Sequence, residues 1–255
     1  MVEVSIIGCG HLGTAVIEGL ARADSHSITA CDVDRAALER VESRVERTTT
    51  DLAVAAESPV VVLAVTPDVV VDVLEALDLS PEQTLLSFAA GVPTDVLESR
   101  TEATVVRGMP NLAAETGSMA CAITSGAGSD VETLLDDLGE FVVISEANMD
   151  VATAVNGSGP AFVYYLIKGL QEAGIERGLE PDDARVLAAQ TFKGAAETVL
   201  QSGSAIDALI DSVATEGGTT IEGMEVLWDS AVLETLDAAV GAAAKRSEAL
   251  AKESQ

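Results

Sequence analysis

Residues 2–13 read Val-Glu-Val-Ser-Ile-Ile-Gly-Cys-Gly-His-Leu-Gly, and a helical pattern continues from there to Ala23. An apolar run of strand character ends at Gly8, and Gly10 and Gly13 follow as a helix opens. Each glycine has its own task in that setting. Gly8 allows a tight turn, Gly10 lets the main chain approach a pyrophosphate, and Gly13 lets the helix lie close on the strand. A bare glycine pattern is weak evidence. This one stands between a strand and a helix and is followed by a second strand, Ser27–Cys31, that ends in Asp32. In that context it predicts a dinucleotide site holding NADPH or NADH on Gly8, Gly10, His11, Leu12 and Gly13. Asp32 is placed to accept hydrogen bonds from the ribose hydroxyls of NADH and to repel the extra phosphate of NADPH, whereas Arg35 could pair with that phosphate. The residues therefore leave the choice of cofactor open.

Strand and helix signals alternate through the first half in the rhythm of a parallel sheet. Helices are expected near Asp34–Arg44 and Asp51–Ala56. Pro59–Val65 is nearly all apolar, as in a strand buried on both faces. A turn at Thr66-Pro67 leads into a helix ending near Leu77. Strands Gln83–Phe88, Ala103–Arg107, Ser118–Thr124 and Phe141–Ile144 follow, with helices Pro93–Arg100 and Asp130–Leu138 between them. From about Ala147 the strand signal disappears. Asn156–Phe162, Asn-Gly-Ser-Gly-Pro-Ala-Phe, opens a helix to about Arg177, and further helices are expected over Pro181–Gln201, Ser204–Ala214 and from Gly218 to near Lys252. The fold class is therefore an α/β N-terminal Rossmann domain with a mainly parallel, doubly wound sheet, residues 1–146, followed by an all-α domain, residues 147–255. A helical domain of about 100 residues with few bulky side chains buries little surface alone, so dimerisation is expected.

The helical half is interrupted by Ala-Thr-Glu-Gly-Gly-Thr-Thr-Ile-Glu-Gly-Met, residues 214–224. Two glycines let consecutive N–H groups point the same way, and two threonines then open a helix whose positive end faces the same corner. Such a corner suits a small carboxylate.

This loop, together with Ala64-Val65-Thr66-Pro67, Arg107-Gly108-Met109-Pro110-Asn111 and Gly157-Ser158-Gly159-Pro160-Ala161-Phe162, resembles the pyrroline-5-carboxylate reductase family over essentially the whole chain. The resemblance implies hydride transfer from NAD(P)H to the imine carbon of 1-pyrroline-5-carboxylate, the last step of proline synthesis. It also implies a helical domain that interlocks with its partner in a homodimer, and a possible decamer of five dimers. It places the substrate carboxylate on Gly218 and Thr219, and Thr220, the catalytic candidate, near the ring nitrogen. Ser158 and Gly159 are further substrate-binding candidates, close helix packing being the equally simple reading. Ala64, Val65, Thr66, Pro67 and Asn111 are expected to line the cofactor side. The chain departs from the family in lacking Lys before Pro67, in carrying Thr215-Glu216 where Ser-Pro is usual, and in carrying His11-Leu12 for Asn-Met. It also ends its second strand in Asp32 rather than Asn. A carboxylate at Glu216 opposes an anion in the adjacent loop unless it points away.

Orientation of two ligands is the main demand of this chemistry, which agrees with a chain that offers no convincing general acid. His26 is expected in a surface turn, and His11 lies in the glycine loop. Rival readings are another Rossmann reductase, such as a hydroxyacid dehydrogenase or a deazaflavin-dependent NADP reductase, and a nucleotide-binding homologue without turnover. The dehydrogenase would need a base on the helical domain, for which only Lys168 and Lys193 are available before the last helix. Cys9, Cys31 and Cys121 read as small buried residues without metal-ligand spacing. No signal peptide precedes the first strand and no apolar run spans a membrane, so a cytoplasmic protein is expected.

Composition adds a separate constraint. Asp and Glu number 42 against 14 Lys and Arg, for a formal net charge of -28, with 48% hydrophobic residues. That field repels nucleic acid and other phosphate-rich partners. The hydrophobic content and regular periodicity argue against disorder. An acidic surface poor in Lys fits a halophile, because concentrated salt screens self-repulsion within a few ångströms. The midpoint of thermal unfolding should accordingly rise by several degrees between about 0.1 M and about 2 M potassium chloride. A flat or falling midpoint would contradict a surface adapted to salt.

Overall fold

The computed structural model describes residues 1–253. Eight strands, β1 (Glu3–Ile7), β2 (Ser27–Cys31), β3 (Arg47–Thr49), β4 (Val60–Leu63), β5 (Thr84–Ser87), β6 (Thr104–Pro110), β7 (Met119–Ile123) and β8 (Gly139–Val143), form one sheet in the order β3-β2-β1-β4-β5-β6-β7-β8. Neighbours are parallel except β6 and β7, which are antiparallel. Helices α1 (His11–Ala23), α2 (Arg35–Val41), α3 (Leu52–Ala55), α4 (Val70–Ala76), α5 (Thr94–Glu98) and α6 (Ser129–Leu138) cover its faces. The four residues of β4 are all buried. Because successive side chains leave a strand on opposite faces, Val60 and Val62 join a core with Ile6, Ile17, Leu20 and Leu135. Val61 and Leu63 join another with Ile7, Leu74, Leu85 and Leu97.

Beyond the sheet lie α7 (Met149–Ala152), α8 (Gly159–Glu176), α9 (Pro181–Ser202), α10 (Ile206–Val213), α11 (Thr219–Trp228) and α12 (Val232–Glu253). Two compact units divide the chain: residues 1–158 with the end of α12 from Gly241, and residues 159–240. Within the first, Ser247 donates from its hydroxyl to Asp150 Oδ1 at 2.6 Å. A side chain on Gly91 would come within 3.2 Å of Ala251 Cα. In the second, α8 and α9 pack together and Ala184 and Ala188 are buried. Tyr164, Tyr165, Leu200 and Val226 remain at least 70% exposed.

Four details differ from the sequence reading. β3 is three polar residues on the edge of the sheet, so no apolar alternation announces it; its Thr49 carbonyl accepts the Asp32 N–H at 3.2 Å. β6 extends through Met109-Pro110, because the strand changes partner there from β5 to antiparallel β7. The expected continuous helix after Gly218 is broken over Asp229–Ala231 into α11 and α12. Finally, His26 is not at the surface. Its side chain is fully buried, with Nε2 2.7 Å from Asp137 Oδ2, which also accepts the Ser25 hydroxyl at 3.0 Å. The hydrogen bond from His26, above all, holds the Asp137 carboxyl below the usual range. The turn between α1 and β2 is thereby tied to the end of α6.

One polar side chain fixes the segment where the sheet gives way to helices. Residues Thr153–Gly157 form a π-helical turn, a geometry common at functional sites. Asn156 projects from it and donates from Nδ2 to Met109 O at 2.6 Å and Ala120 O at 2.9 Å, joining the turn to both β6 and β7. Its Oδ1 is buried and lacks a donor among the described residues, leaving an acceptor for water or a ligand group. Removing the donor deprives each carbonyl of one hydrogen bond, at a cost of about 1–3 kcal/mol in total. Asn156→Ala should lower the unfolding free energy in urea by that amount, and Asn156→Asp, which cannot donate, by at least as much. A change below about 0.5 kcal/mol would show that the latch contributes nothing.

Candidate functional site

The glycine loop lies at the carboxyl ends of β1, β2 and β4, the end of a parallel sheet that receives ligands. Gly8 adopts φ +98°, and a side chain there would lie 2.7 Å from Ala64 O and 2.9 Å from Val65 Cγ1, so residues 64 and 65 back the loop directly. At Gly13 a Cβ would stand 1.8 Å from Gly8 O, so only glycine lets α1 approach this closely. At Gly10 it would meet no atom within 4 Å. This open space adjoins the N-terminus of α1, which has no side-chain cap and no acid in its first turn. Its unpaired N–H groups and positive dipole end therefore face a void suited to a pyrophosphate, and the residues present fit a dinucleotide cofactor. His11 is exposed at the first helical position. Leu12 packs on the core and anchors the loop. Thr14 Oγ1 donates to Cys9 O at 3.1 Å, and the Cys9 N–H to Asp32 Oδ2 at 2.6 Å.

Beside the loop a cavity of about 200 Å³ is lined by Ile7, Gly8, Asp32, Val33, Leu52 and Val65, with Thr50, Val69 and Val73. Asp32 is its only charged group. An apolar slot with one carboxylate at its rim suits a flat base attached to a ribose. Val33, Leu52, Val69 and Val73 escape a sequence reading because each looks like an ordinary core residue. Arg35 lies outside this cavity, in a separate cleft with Glu39, Glu42 and Thr48. Thr66 is exposed and Pro67 opens a short 3₁₀ turn. All three cysteines are buried. Burial, reinforced by Asp32, raises the Cys9 thiol to about 12 and the Cys31 thiol to about 11, and burial raises Cys121 to about 12. None supplies a thiolate at neutral pH.

Asn111 ends β6. Its Oδ1 accepts the N–H groups of Ala113 at 3.1 Å and Ala120 at 3.4 Å, which leaves its amide NH₂ for a ligand. Arg107, buried in the same strand, pairs with Glu146 Oε1 at 3.0 Å, and that oxygen also takes the Thr94 N–H at 2.7 Å. Burial pushes the Glu146 carboxyl up, but the Thr94 N–H and the guanidinium outweigh it and hold the group below the usual range.

In the second unit the Gly218 N–H donates to Thr215 O at 3.0 Å, and Gly217 takes φ +73°. Gly218 caps α11 without a side chain, so no capping side chain answers the first amides of that helix among the described residues. Thr219 and Thr220 are exposed. Elsewhere helical threonines bond back to the carbonyl four residues earlier, as Thr191, Thr198 and Thr235 do at 2.7–2.8 Å. Thr220 stands in a first turn, where no helical carbonyl precedes it, and neither threonine acts as the helix cap. Glu216 is exposed beside the turn. A Cβ on Gly159 would touch nothing, and Ser158 donates its N–H to Thr153 O at 3.0 Å. Lys168 pairs with Glu172 at 3.6 Å on an exposed helix face.

The glycine geometry separates two substitutions that look alike. Gly10→Ala should cost less than about 1 kcal/mol of stability while weakening NADH binding about tenfold or more, through loss of the pyrophosphate space. Gly13→Ala should destabilise by about 1–3 kcal/mol as α1 is pushed off the strand. Chemical unfolding and cofactor titration check both; equal effects of the two changes would contradict the assigned roles.

Residues 146–250 match the family described as "Pyrroline-5-carboxylate reductase dimerisation", and residues 3–91 match "NADP oxidoreductase coenzyme F420-dependent". The latter covers only the first part of the sheet unit, including the glycine loop. Pyrroline-5-carboxylate reductase of Methanosarcina acetivorans is 34% identical over 98% of each chain. Among solved structures, a pyrroline-5-carboxylate reductase of Coxiella burnetii superposes with a TM-score of 0.89 at 28% identity, over 98% of each chain. The Plasmodium falciparum pyrroline carboxylate reductase, solved with NADP bound, gives 0.79 at 26% identity over 98% of each. With the glycine cradle and the threonine-opened helix in place along its length, the chain belongs to the pyrroline-5-carboxylate reductase family.

Proposed function

We infer that the chain reduces 1-pyrroline-5-carboxylate to L-proline with NAD(P)H, and that Gly218, Thr219 and Thr220 hold the substrate. The observation that carries the residue assignment is the uncapped start of α11, where amides and two hydroxyls have no other use. Gly8, Gly10, His11, Leu12 and Gly13 hold the cofactor pyrophosphate, and Asp32 the adenosine ribose. Arg35 lies at the outer rim, and Ala64, Val65, Thr66, Pro67 and Asn111 line the remaining cofactor side. When bound, the cofactor would supply a hydride to the imine carbon of the N-protonated substrate, whose C=N π pair becomes the nitrogen lone pair of proline. Gly218 and Thr219 offer backbone N–H groups to the substrate carboxylate, a charge that the helix dipole favours. The Thr220 hydroxyl sits at the ring nitrogen and keeps the imine aligned; alignment of two ligands is worth several kcal/mol of barrier. Ser158 and Gly159 border the same substrate.

A homodimer follows from the exposed apolar surface of residues 159–240, since monomers rarely leave Tyr164, Tyr165, Leu200 and Val226 in water together. Residues 147–255 act as the substrate and dimerisation domain and residues 1–146 as the dinucleotide domain, and family resemblance extends the assembly to a decamer of five dimers. No helix among the described residues is long and apolar enough to cross a membrane. The cytoplasm is the proposed compartment, in cells of high internal salt. The second reading, a nucleotide-binding homologue without turnover, draws on Glu216, whose carboxylate beside the turn opposes an anionic substrate.

Absorbance of NADH and NADPH in molar potassium chloride separates the two readings. Oxidation that requires 1-pyrroline-5-carboxylate is expected. Cofactor binding without oxidation would support the silent homologue. Thr220→Ala should lower kcat/KM at least about tenfold, or about 1.4 kcal/mol of transition-state stabilisation, with the cofactor dissociation constant within about twofold of the parent. Unaltered turnover would remove Thr220 from the site.

A further inference from the structure

Two carboxylates are locked in place where NADH and NADPH differ. Asp32 Oδ2 accepts the Cys9 N–H at 2.6 Å and Oδ1 accepts the Asp34 N–H at 2.8 Å. Neither oxygen can turn away without breaking a bond to the main chain. Each retains a second lone pair, which suits the two hydroxyls of a ribose at the cavity rim. Asp34 adds a second constraint. Its Oδ1 accepts the Ala36 N–H at 2.9 Å and caps α2. The Ala36 amide, which would otherwise be open to a ribose phosphate at that helix start, is thus answered by the chain's own carboxylate. Of the cations nearby, Arg44 pairs with Glu18 at 3.2 Å and Arg47 with Glu57 at 2.9 Å, while Arg40 donates to Ala36 O at 3.1 Å, a neutral acceptor that leaves its charge in place. Arg35 is left at the rim, sharing its cleft with Glu39 and Glu42.

We propose that this chain is selective for NADH, with Asp32 and Asp34 acting together to exclude the 2′-phosphate of NADPH. A phosphate dianion on the ribose would displace the hydroxyl that Asp32 accepts and would stand against two fixed negative charges. Arg35 shares its cleft with two glutamates and Arg40 is tied to Ala36 O, so neither compensates for them. The inference rests on the reading of this chain as a nicotinamide-dependent reductase, and it sets the chain apart from the Plasmodium falciparum relative solved with NADP.

Calorimetric titration of the full chain in molar potassium chloride, with NADH, NADPH, AMP and adenosine 2′,5′-bisphosphate, tests it without turnover. NADH should bind at least about tenfold more tightly than NADPH, and AMP more tightly than the bisphosphate. In Asp32→Asn combined with Asp34→Asn, which removes both charges and keeps the side-chain shapes, the NADH preference should shrink to within about threefold, mainly through tighter NADPH. Equal or tighter NADPH binding by the parent chain would overturn the inference, as would an unchanged ratio in a double variant that still binds NADH. If that variant loses both cofactors through loop collapse, the parent ratio and the AMP pair decide. Binding of neither cofactor by the folded parent would overturn the cofactor reading itself, a result distinct from loss of selectivity.

Discussion

The approach of α1 to the end of β1 governs the first unit. Gly13 brings the helix so near that a single methyl group would overlap the Gly8 carbonyl. That closeness aims the uncapped amides at the open space over Gly10. It also leaves the Cys9 N–H turned toward Asp32, so one short loop fixes both the open space over Gly10 and the Asp32 carboxylate, the groups proposed to meet the pyrophosphate and the ribose. Ala64 and Val65 support the loop from the end of β4, so an apolar strand in the middle of the sheet positions the proposed cofactor loop. A partly buried cluster of Arg107, Glu146 and the Thr94 amide then holds the loop after β5, strand β6 and the chain leaving β8 in one arrangement.

The second unit obeys a different rule. Its helices are rich in alanine and glycine, and among the described residues of 159–240 only Ala184 and Ala188 fall in the buried class. A fold of this kind gains little by burying itself. Its aromatic and branched side chains remain exposed, whereas those of the first unit fill two cores on either face of the sheet. The acidic excess bears on solubility and salt response, and the reaction depends on local groups.

Much of this was legible in the sequence, for reasons that differ from residue to residue. The spacing Gly8, Gly10, Gly13 carries geometry directly, because each glycine answers a distance that another residue would violate. The apolar run of β4 reported a strand covered on both faces. β3 was illegible because a short edge strand of Arg and Thr has no burial pattern to display. His26 was misplaced for a related reason: a turn residue next to serines reads as solvated, and only the tertiary position of Asp137, from a distant helix, draws the ring inside. Asn156 stood in a recognised motif, yet its latch to β6 and β7 depends on a π-helical turn that no local pattern encodes. The selectivity proposed for Asp32 could be suspected from its place after β2. That both its oxygens are tethered, and that Asp34 closes the neighbouring helix start, emerged only from the hydrogen bonds.

The central claim, hydride delivery to an imine carbon aligned by the loop that opens α11, is tested most directly by isotope transfer. NADH carrying deuterium at nicotinamide C4 would be incubated with 1-pyrroline-5-carboxylate and the chain, and the product analysed by mass spectrometry and NMR. The account predicts proline with deuterium at the former imine carbon, one atom for each NADH oxidised when the transferred face alone is labelled. Proline without deuterium, label at another carbon, or no proline from a folded chain that binds NADH would contradict it.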